Sequence, residues 1–159
     1  MRRRRSRPAG RRLGRGGVLA LALTCAVTAA IAQQPATCQR ADFENAVDEA
    51  SAGLRDMTLA NTPVFQAKLR QLKEKRGWSY DQFMTEAAPL VRDEQIASFD
   101  QESETLLLRI NNLGEAGGAP AAPDCKLLVE VRRTMQALVD TQKSKWAYMF
   151  DKIGRELAK

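Results

Sequence analysis

The sequence predicts an all-α fold: an elongated helical bundle that ends in a long antiparallel C-terminal helical hairpin and carries one disulfide. Three observations lead to this prediction. Apolar residues recur at steps of three and four over most of residues 40–158, which is the period of one helix face. No stretch alternates apolar and polar residues as a half-buried strand does. An even number of cysteines, two, remains after residue 32.

The composition suits one domain and excludes several kinds of site. The 159 residues include no histidine, so there is no Ser-His-Asp triad, no Cys-His pair and no histidine ligand for zinc or haem. The net charge is +6, but eight arginines and no acid fall in residues 1–32. The other residues hold 17 basic and 19 acidic side chains. This balance argues against nucleic acid as a partner, because there is no positive excess to hold phosphates.

The first 32 residues have the three-part layout of a secretory signal peptide. An arginine-rich stretch, residues 1–17, precedes an uncharged apolar run that ends in Ala30-Ile31-Ala32. We expect cleavage after Ala32 and a periplasmic or secreted location. The alternative is a retained anchor, but an apolar run of this length spans only about 22 Å of a roughly 30 Å hydrocarbon core. After cleavage we expect no stable membrane span.

Cys38 and Cys125 are the cysteines that remain, and export favours a disulfide between them. Two free thiols are the alternative. The bridge would close a loop of 87 residues. A chain-entropy argument assigns about 4–5 kcal/mol to a loop of that size. Because each cysteine lies at the start of a predicted helix, the first and last helices should begin at the same end of the bundle.

Residues 33–159 are predicted to form a single helical domain. Gln and Pro mark a flexible leader, residues 33–39, and Gly, Ala and Pro dominate a hairpin loop, residues 114–124. The predicted helices are one over about 40–58, one from Asn61-Thr62-Pro63 to Gly77, a short one capped by Ser79 and Gln82 that breaks at Pro89, one from Leu90 to Leu113, and one over 125–158.

Helix order follows from the hairpin and the cysteines. A hairpin centred near residue 119 would place Ile110 level with Leu128, and Phe99 level with Val139. For the two cysteines to share one end, we expect an up-and-down order of five traverses, in which the short Ser79 helix crosses the bundle by itself.

Carboxylates form the densest charge feature, and they predict a solvated helix face better than a catalytic site. They are Asp93, Glu94, Asp100, Glu102 and Glu104. Carboxylate pairs could serve acid–base chemistry or bind a divalent cation, but that requires a cleft and one raised pKa. The sequence therefore predicts no catalytic, cofactor-binding or metal-binding residues and no cofactor.

Five aromatic residues are the candidates for partner binding. Trp146, Tyr148 and Phe150 lie close together in the last helix, and Trp78 and Tyr80 flank the turn at Gly77. Large aromatic side chains are the usual anchors of protein interfaces. Core packing is the alternative for both groups, and Trp146 and Phe150 fit the apolar stripe of their helix whereas Tyr148 does not.

These features together predict a non-enzymatic protein of the bacterial cell envelope that acts by protein–protein contact, as an adaptor or accessory subunit. Its partner would be another envelope protein, and the heptad-like seam of the fourth predicted helix could also close a homodimer. One alternative is a periplasmic client-binding chaperone, which needs a concave apolar patch. Another is a carboxylate-dependent cell-wall glycosidase, which needs two acids that face one groove.

Overall fold

The computed structural model describes residues 37–117 and 123–159, which form an all-α body. The helices are α1 (Arg40–Arg76), α2 (Tyr80–Glu86), α3 (Ala88–Val91), α4 (Glu94–Gly117) and α5 (Cys125–Ala158). The predicted signal peptide, most of the predicted leader and residues 118–122 of the predicted loop lie outside the described residues. Within the described part of the chain, no helix is apolar over enough of its length to cross a membrane.

α5 is the central helix, and α1 and α4 each pack along it. α1 runs parallel to α5, because the Cys38–Cys125 disulfide joins their starts and an Arg76–Glu156 ion pair of 3.3 Å joins their ends. α4 runs antiparallel to α5 and forms the predicted hairpin with it. α1 and α4 make few contacts with each other. The two helices therefore flank α5 on different sides.

The expected helix break at Asn61-Thr62-Pro63 is wrong, because α1 continues through Pro63 without interruption. Phe43, Leu54 and Phe65 recur every 11 residues, which is three helical turns, so the apolar stripe stays in phase across the proline. All three pack into the core beside α5. The proline removes one backbone hydrogen bond, but the burial of the stripe outweighs that loss.

The expected order of five traverses is also wrong, although both cysteines do lie at one end. α1 crosses the body once, α4 returns and α5 crosses again, while α2 and α3 form the connection at the far end. The turn into α2 was predicted correctly. Gly77 ends α1 in the left-handed conformation at φ 64°, and Ser79 and Gln82 form the capping box of α2. A break is present but earlier than predicted: α2 ends at Glu86, and Pro89 lies in the first turn of α3.

α4 begins and ends later than predicted. It runs from Glu94 to Gly117, instead of from Leu90 to Leu113. The later end of α4 moves the hairpin turn along the chain, so residues in the first half of α4 face later residues of α5 than expected. Phe99 consequently packs against Tyr148, with ring centroids 6.3 Å apart, and the expected pairing with Val139 is wrong.

The core consists of two apolar clusters. The cluster nearer the disulfide contains Phe43, Ala46, Ile110, Leu128, Val131, Met135 and Leu138. The far cluster contains Phe65, Leu72, Leu90, Ile96, Met149 and Ile153. Between the two clusters, Gln142 of α5 donates a 2.7 Å hydrogen bond to the buried Ser103 of α4. This polar pair favours the observed register of the hairpin, because a shift along either helix would break the bond between Ser103 and Gln142.

Candidate functional site

The aromatic candidates of α5 lie in the far half of the body, and two of them pack into the core. Trp146 and Phe150 are half-buried, and both rings meet the buried Phe65 of α1 edge-on, at centroid distances of 6.1 and 5.6 Å. Their own centroids are 5.9 Å apart. Edge-to-face ring contacts of this kind are favourable and hold α1 against α5. The packing alternative therefore accounts for both rings.

Tyr148 faces α4 instead of α1. Its hydroxyl donates a 2.8 Å hydrogen bond to Oδ2 of Asp93, its ring packs against Phe99, and the Lys152 ammonium lies 5.4 Å from the ring centroid. The bond to the Asp93 carboxylate raises the pKa of the Tyr148 hydroxyl. With its hydroxyl and ring both engaged, Tyr148 connects α5 to α4 within the molecule.

Asp93 is the centre of a polar cluster that joins α3, α4 and α5. Its Oδ1 accepts a 2.7 Å hydrogen bond from the Ile96 backbone and so caps α4, while Oδ2 ion-pairs with Lys152. Lys152 also donates to the carbonyl of Pro89 in α3. The hydrogen bond from Lys152 is the main cause that holds the pKa of Asp93 at about 2, below its ordinary 3.8. The neighbouring ammonium and the capped backbone favour the charged form.

Two of the acidic candidates, Asp93 and Asp100, are each paired with a lysine of α5 and not with each other. Asp93 pairs with Lys152, and Asp100, two turns further on, pairs with Lys145 of α5. A general acid requires a raised pKa, whereas the pKa of Asp93 is lowered. The interpretation of a fully solvated face is wrong for Asp93, which is half-buried, and holds for Glu94, Glu102 and Glu104, which are exposed.

The second aromatic pair is divided between core and surface. Trp78 is half-buried and packs against the far cluster, whereas 67% of Tyr80 is exposed. The Lys73 ammonium lies 5.9 Å from the Tyr80 centroid and 5.8 Å from that of Phe83. This cation lies within the range of attraction to both rings and holds the start of α2 against the end of α1.

Tyr80 belongs to an exposed apolar surface that sequence reasoning identified only in part. We call it the short-helix surface: Tyr80 and Met84 of α2 and Val91 of α3. Met84 and Val91 line a hollow of about 280 Å³ together with Leu69 and Phe83, and Tyr80 lies one turn before Met84 on α2. Met84 is 56% exposed. The helical spacing placed Phe83, Met84 and Ala87 on one face, but it could not show that α1 and α5 cover only part of that face.

No candidate metal site occurs in the described ranges, where no three side chains of the metal-ligating types cluster together. No family model, curated protein or solved structure matches the chain.

Proposed function

We propose that this chain is an exported, non-enzymatic helical protein of the bacterial cell envelope, and that it binds another envelope protein as an adaptor or accessory subunit. The signal-like first 32 residues support export, and a disulfide is a bond that oxidising compartments maintain. The observation that carries the binding role is the short-helix surface. It is the one place where a predicted partner-binding residue, Tyr80, is largely exposed.

The form of this surface suits a protein partner better than a small ligand. Pockets for small molecules usually enclose about 300–1,000 Å³, and the hollow of about 280 Å³ falls just below that range. It is large enough for one or two inserted side chains. Tyr80 and Met84 stand beside it as an aromatic and an adaptable thioether, two side chains that are enriched at protein interfaces.

The surface is also held in a fixed shape, which lowers the entropic cost of binding. The Ser79–Gln82 capping box fixes the start of α2. The Ser79 backbone N–H donates a 2.9 Å hydrogen bond to the Gln82 side chain, and the Gln82 backbone N–H donates a 3.2 Å hydrogen bond to the Ser79 hydroxyl. Lys152 reaches the Pro89 carbonyl and fixes α3 against α5. A partner would therefore meet a preformed site.

The test is affinity purification of the tagged protein from its native envelope after mild crosslinking. The binding variant carries Tyr80→Ala and Met84→Ser. The control is Leu59→Ser, because Leu59 is exposed to the same 67% on α1 but lies away from the short helices. We expect one stoichiometric partner with the wild type and the control, and its loss with the binding variant.

Two other outcomes would contradict the proposal. Equal capture by all three proteins would exclude the short-helix surface as the binding site. A diffuse set of unfolded clients, bound weakly, would favour the chaperone alternative. Circular dichroism of each variant checks that any loss of capture does not come from unfolding.

A further inference from the structure

A groove runs between α1 and α4 on the open side of α5. Close backbone approaches between α1 and α4 are few, and although Phe43 of α1 packs beside Gly117 of α4, hollows remain between the two helices. In its middle section, Leu54 and Met57 of α1 form one wall, Leu107 of α4 forms the other, and Leu138 and Trp146 of α5 form the floor. Leu107 remains 48% exposed. We call this feature the α1–α4 groove.

Towards the disulfide end, a second and wider hollow of about 580 Å³ lies between the same two helices and forms the wide end of the groove. Phe43 and Val47 line it, and Val47 is exposed. The residues of α1 that line the two hollows run from Arg40 to Thr58. At 1.5 Å per residue that distance is about 27 Å, which is the length of a helix of about 18 residues.

The charges around the wide end are predominantly negative. Glu44, Asp48 and Glu115 line it, and Arg40 is the one cation among the lining residues that the structure describes. Arg40 is already paired with Glu44 at 3.0 Å. Asp48 and Glu115 are exposed and make no hydrogen bond or ion pair to any part of the chain that the structure describes. The wide end therefore presents two uncompensated carboxylates beside apolar side chains.

We propose that the α1–α4 groove binds an amphipathic helix of a partner protein, whose apolar stripe faces α5 and whose basic residues lie at the disulfide end. A helix in a groove formed by two others buries apolar residues at steps of three and four. Its lysine or arginine side chains reach Asp48 and Glu115. This site is separate from the short-helix surface, and with both surfaces the molecule can connect two partners.

The same charges disfavour other occupants. If a second copy bound groove to groove with the wide ends together, it would bring its own Glu44, Asp48 and Glu115 against the first set, and like charges in contact are unfavourable. Anionic lipid headgroups would meet the same repulsion. A basic amphipathic helix is the occupant whose charge and shape both fit.

The test is a selection with the purified full chain. A displayed library of 18-residue helices holds leucine at one stripe and leaves the flanking positions random. Binders are kept when they bind the wild type and are removed when they bind the Leu107→Asp variant. We expect the selected helices to be enriched in Lys and Arg at one end and to bind more weakly as salt is raised.

Matched variants then locate the site. Leu107→Asp should weaken the selected helices by about tenfold or more, whereas Leu108→Asp should not, because Leu108 is the adjacent residue, 65% exposed and outside the groove. Asp48→Lys with Glu115→Lys should weaken them by a similar factor. Asp56→Lys with Glu102→Lys changes the charge equally and lies elsewhere, so it should leave binding unchanged.

Three results would overturn the inference. In the first, the selection yields no helix that binds the wild type better than the Leu107→Asp variant. In the second, the selected helices show no enrichment in Lys and Arg. In the third, the wild-type protein sediments as a dimer and the Leu107→Asp variant as a monomer. The last would identify a second copy as the occupant. None of these results bears on Tyr80 and Met84, so the proposed function stands or fails by its own experiment.

Discussion

Asp93 shows how one side chain can organise a whole end of this molecule. It caps α4, pairs with Lys152 of α5, and through Lys152 is connected to the carbonyl of Pro89 in α3. Tyr148 donates a third hydrogen bond to the same carboxylate, beside those from the Ile96 backbone and Lys152. The charge of Asp93 is therefore coupled to folding, and acid should weaken the far end.

We expect Asp93→Asn to lower the melting temperature at pH 7, by an amount that shrinks as the pH falls from 4 to 2. Asparagine still caps a helix, so the variant removes chiefly the charge. The pKa of Asp93 is about 2 in the folded protein and close to 3.8 when unfolded. Its stabilisation is thus complete above pH 4 and is lost as the pH falls through 2, because only the unfolded chain binds a proton in that window.

Thermal unfolding by circular dichroism at pH 7, 5, 3 and 2 measures this difference. Glu94→Gln is the control, since Glu94 is the exposed neighbour of Asp93 in the first turn of α4. A gap between wild type and Asp93→Asn that stays constant down to pH 2 would show that the charge of Asp93 does not stabilise the fold.

Gly117 and Gly114 provide a paired test of close packing in α4. A Cβ at Gly117 would lie 2.5 Å from Cε1 of the buried Phe43, whereas a Cβ at Gly114 meets no atom within 4 Å. We expect Gly117→Ala to destabilise the fold by about 1–3 kcal/mol. Gly114→Ala should stabilise it by about 1 kcal/mol, because alanine favours a helix. Urea denaturation measures both, and equal effects would contradict the contact.

The spacing of charged residues in the sequence indicates the polar contacts between α4 and α5. Asp93 and Asp100 are seven residues apart on α4, and Lys145 and Lys152 are seven apart on α5. On antiparallel helices this spacing brings both pairs together, as the structure shows. The acids by themselves predict a carboxylate pair or a solvated face, and the contacts follow only when their spacing is matched with that of the lysines on α5.

At the level of helices, Pro63 explains the main error in the predicted fold. A Thr-Pro step usually starts a helix, and the polar Asn61 and Thr62 interrupt the apolar stripe just before it. The 11-residue spacing that continues across the proline indicates one unbroken helix. How much burial of that stripe stabilises the helix depends on the contacts of Phe65 with Trp146 and Phe150. Those contacts join residues far apart in sequence, so local patterns could not supply them.

Since α1 tolerates Pro63 only through its packing, replacement should stabilise the protein. We expect Pro63→Ala to raise the free energy of unfolding by up to about 3 kcal/mol, because it restores a backbone donor inside the helix. Pro89→Ala is the control, since Pro89 lies in the first turn of α3, where a proline costs little. Urea denaturation measures both, and a loss of stability in Pro63→Ala would show that α1 requires the proline.

On the scale of the whole molecule, the disulfide was predicted well because so few arrangements of two cysteines exist. It joins the starts of the parallel helices α1 and α5, across a sequence separation of 87 residues. The all-α class and the antiparallel hairpin followed from periodicity in the same way. The exposure of the short-helix surface could not be predicted from periodicity, because it depends on how much of α2 and α3 the other helices cover.

Reduction of the Cys38–Cys125 disulfide should lower the melting temperature by several degrees. By the chain-entropy argument, closing a loop of this length stabilises the folded protein by roughly 4–5 kcal/mol. Thermal unfolding with and without dithiothreitol measures the effect. The Cys38→Ala, Cys125→Ala double variant is the control, and its melting temperature should not respond to the reductant. An unchanged wild-type value would show that the bridge adds no stability.

The packing of α1 and α4 along one shared helix has a consequence for how the molecule opens. Since few backbone approaches join α1 directly to α4, α1 can detach as a unit while the α4–α5 hairpin stays folded, with Phe43 leaving its place beside Gly117. Backbone amides of α1 should then exchange with deuterium faster than those of α5, in a cooperative block. The Cys38–Cys125 bond keeps the detached helix tethered at one end, so every such opening remains readily reversible.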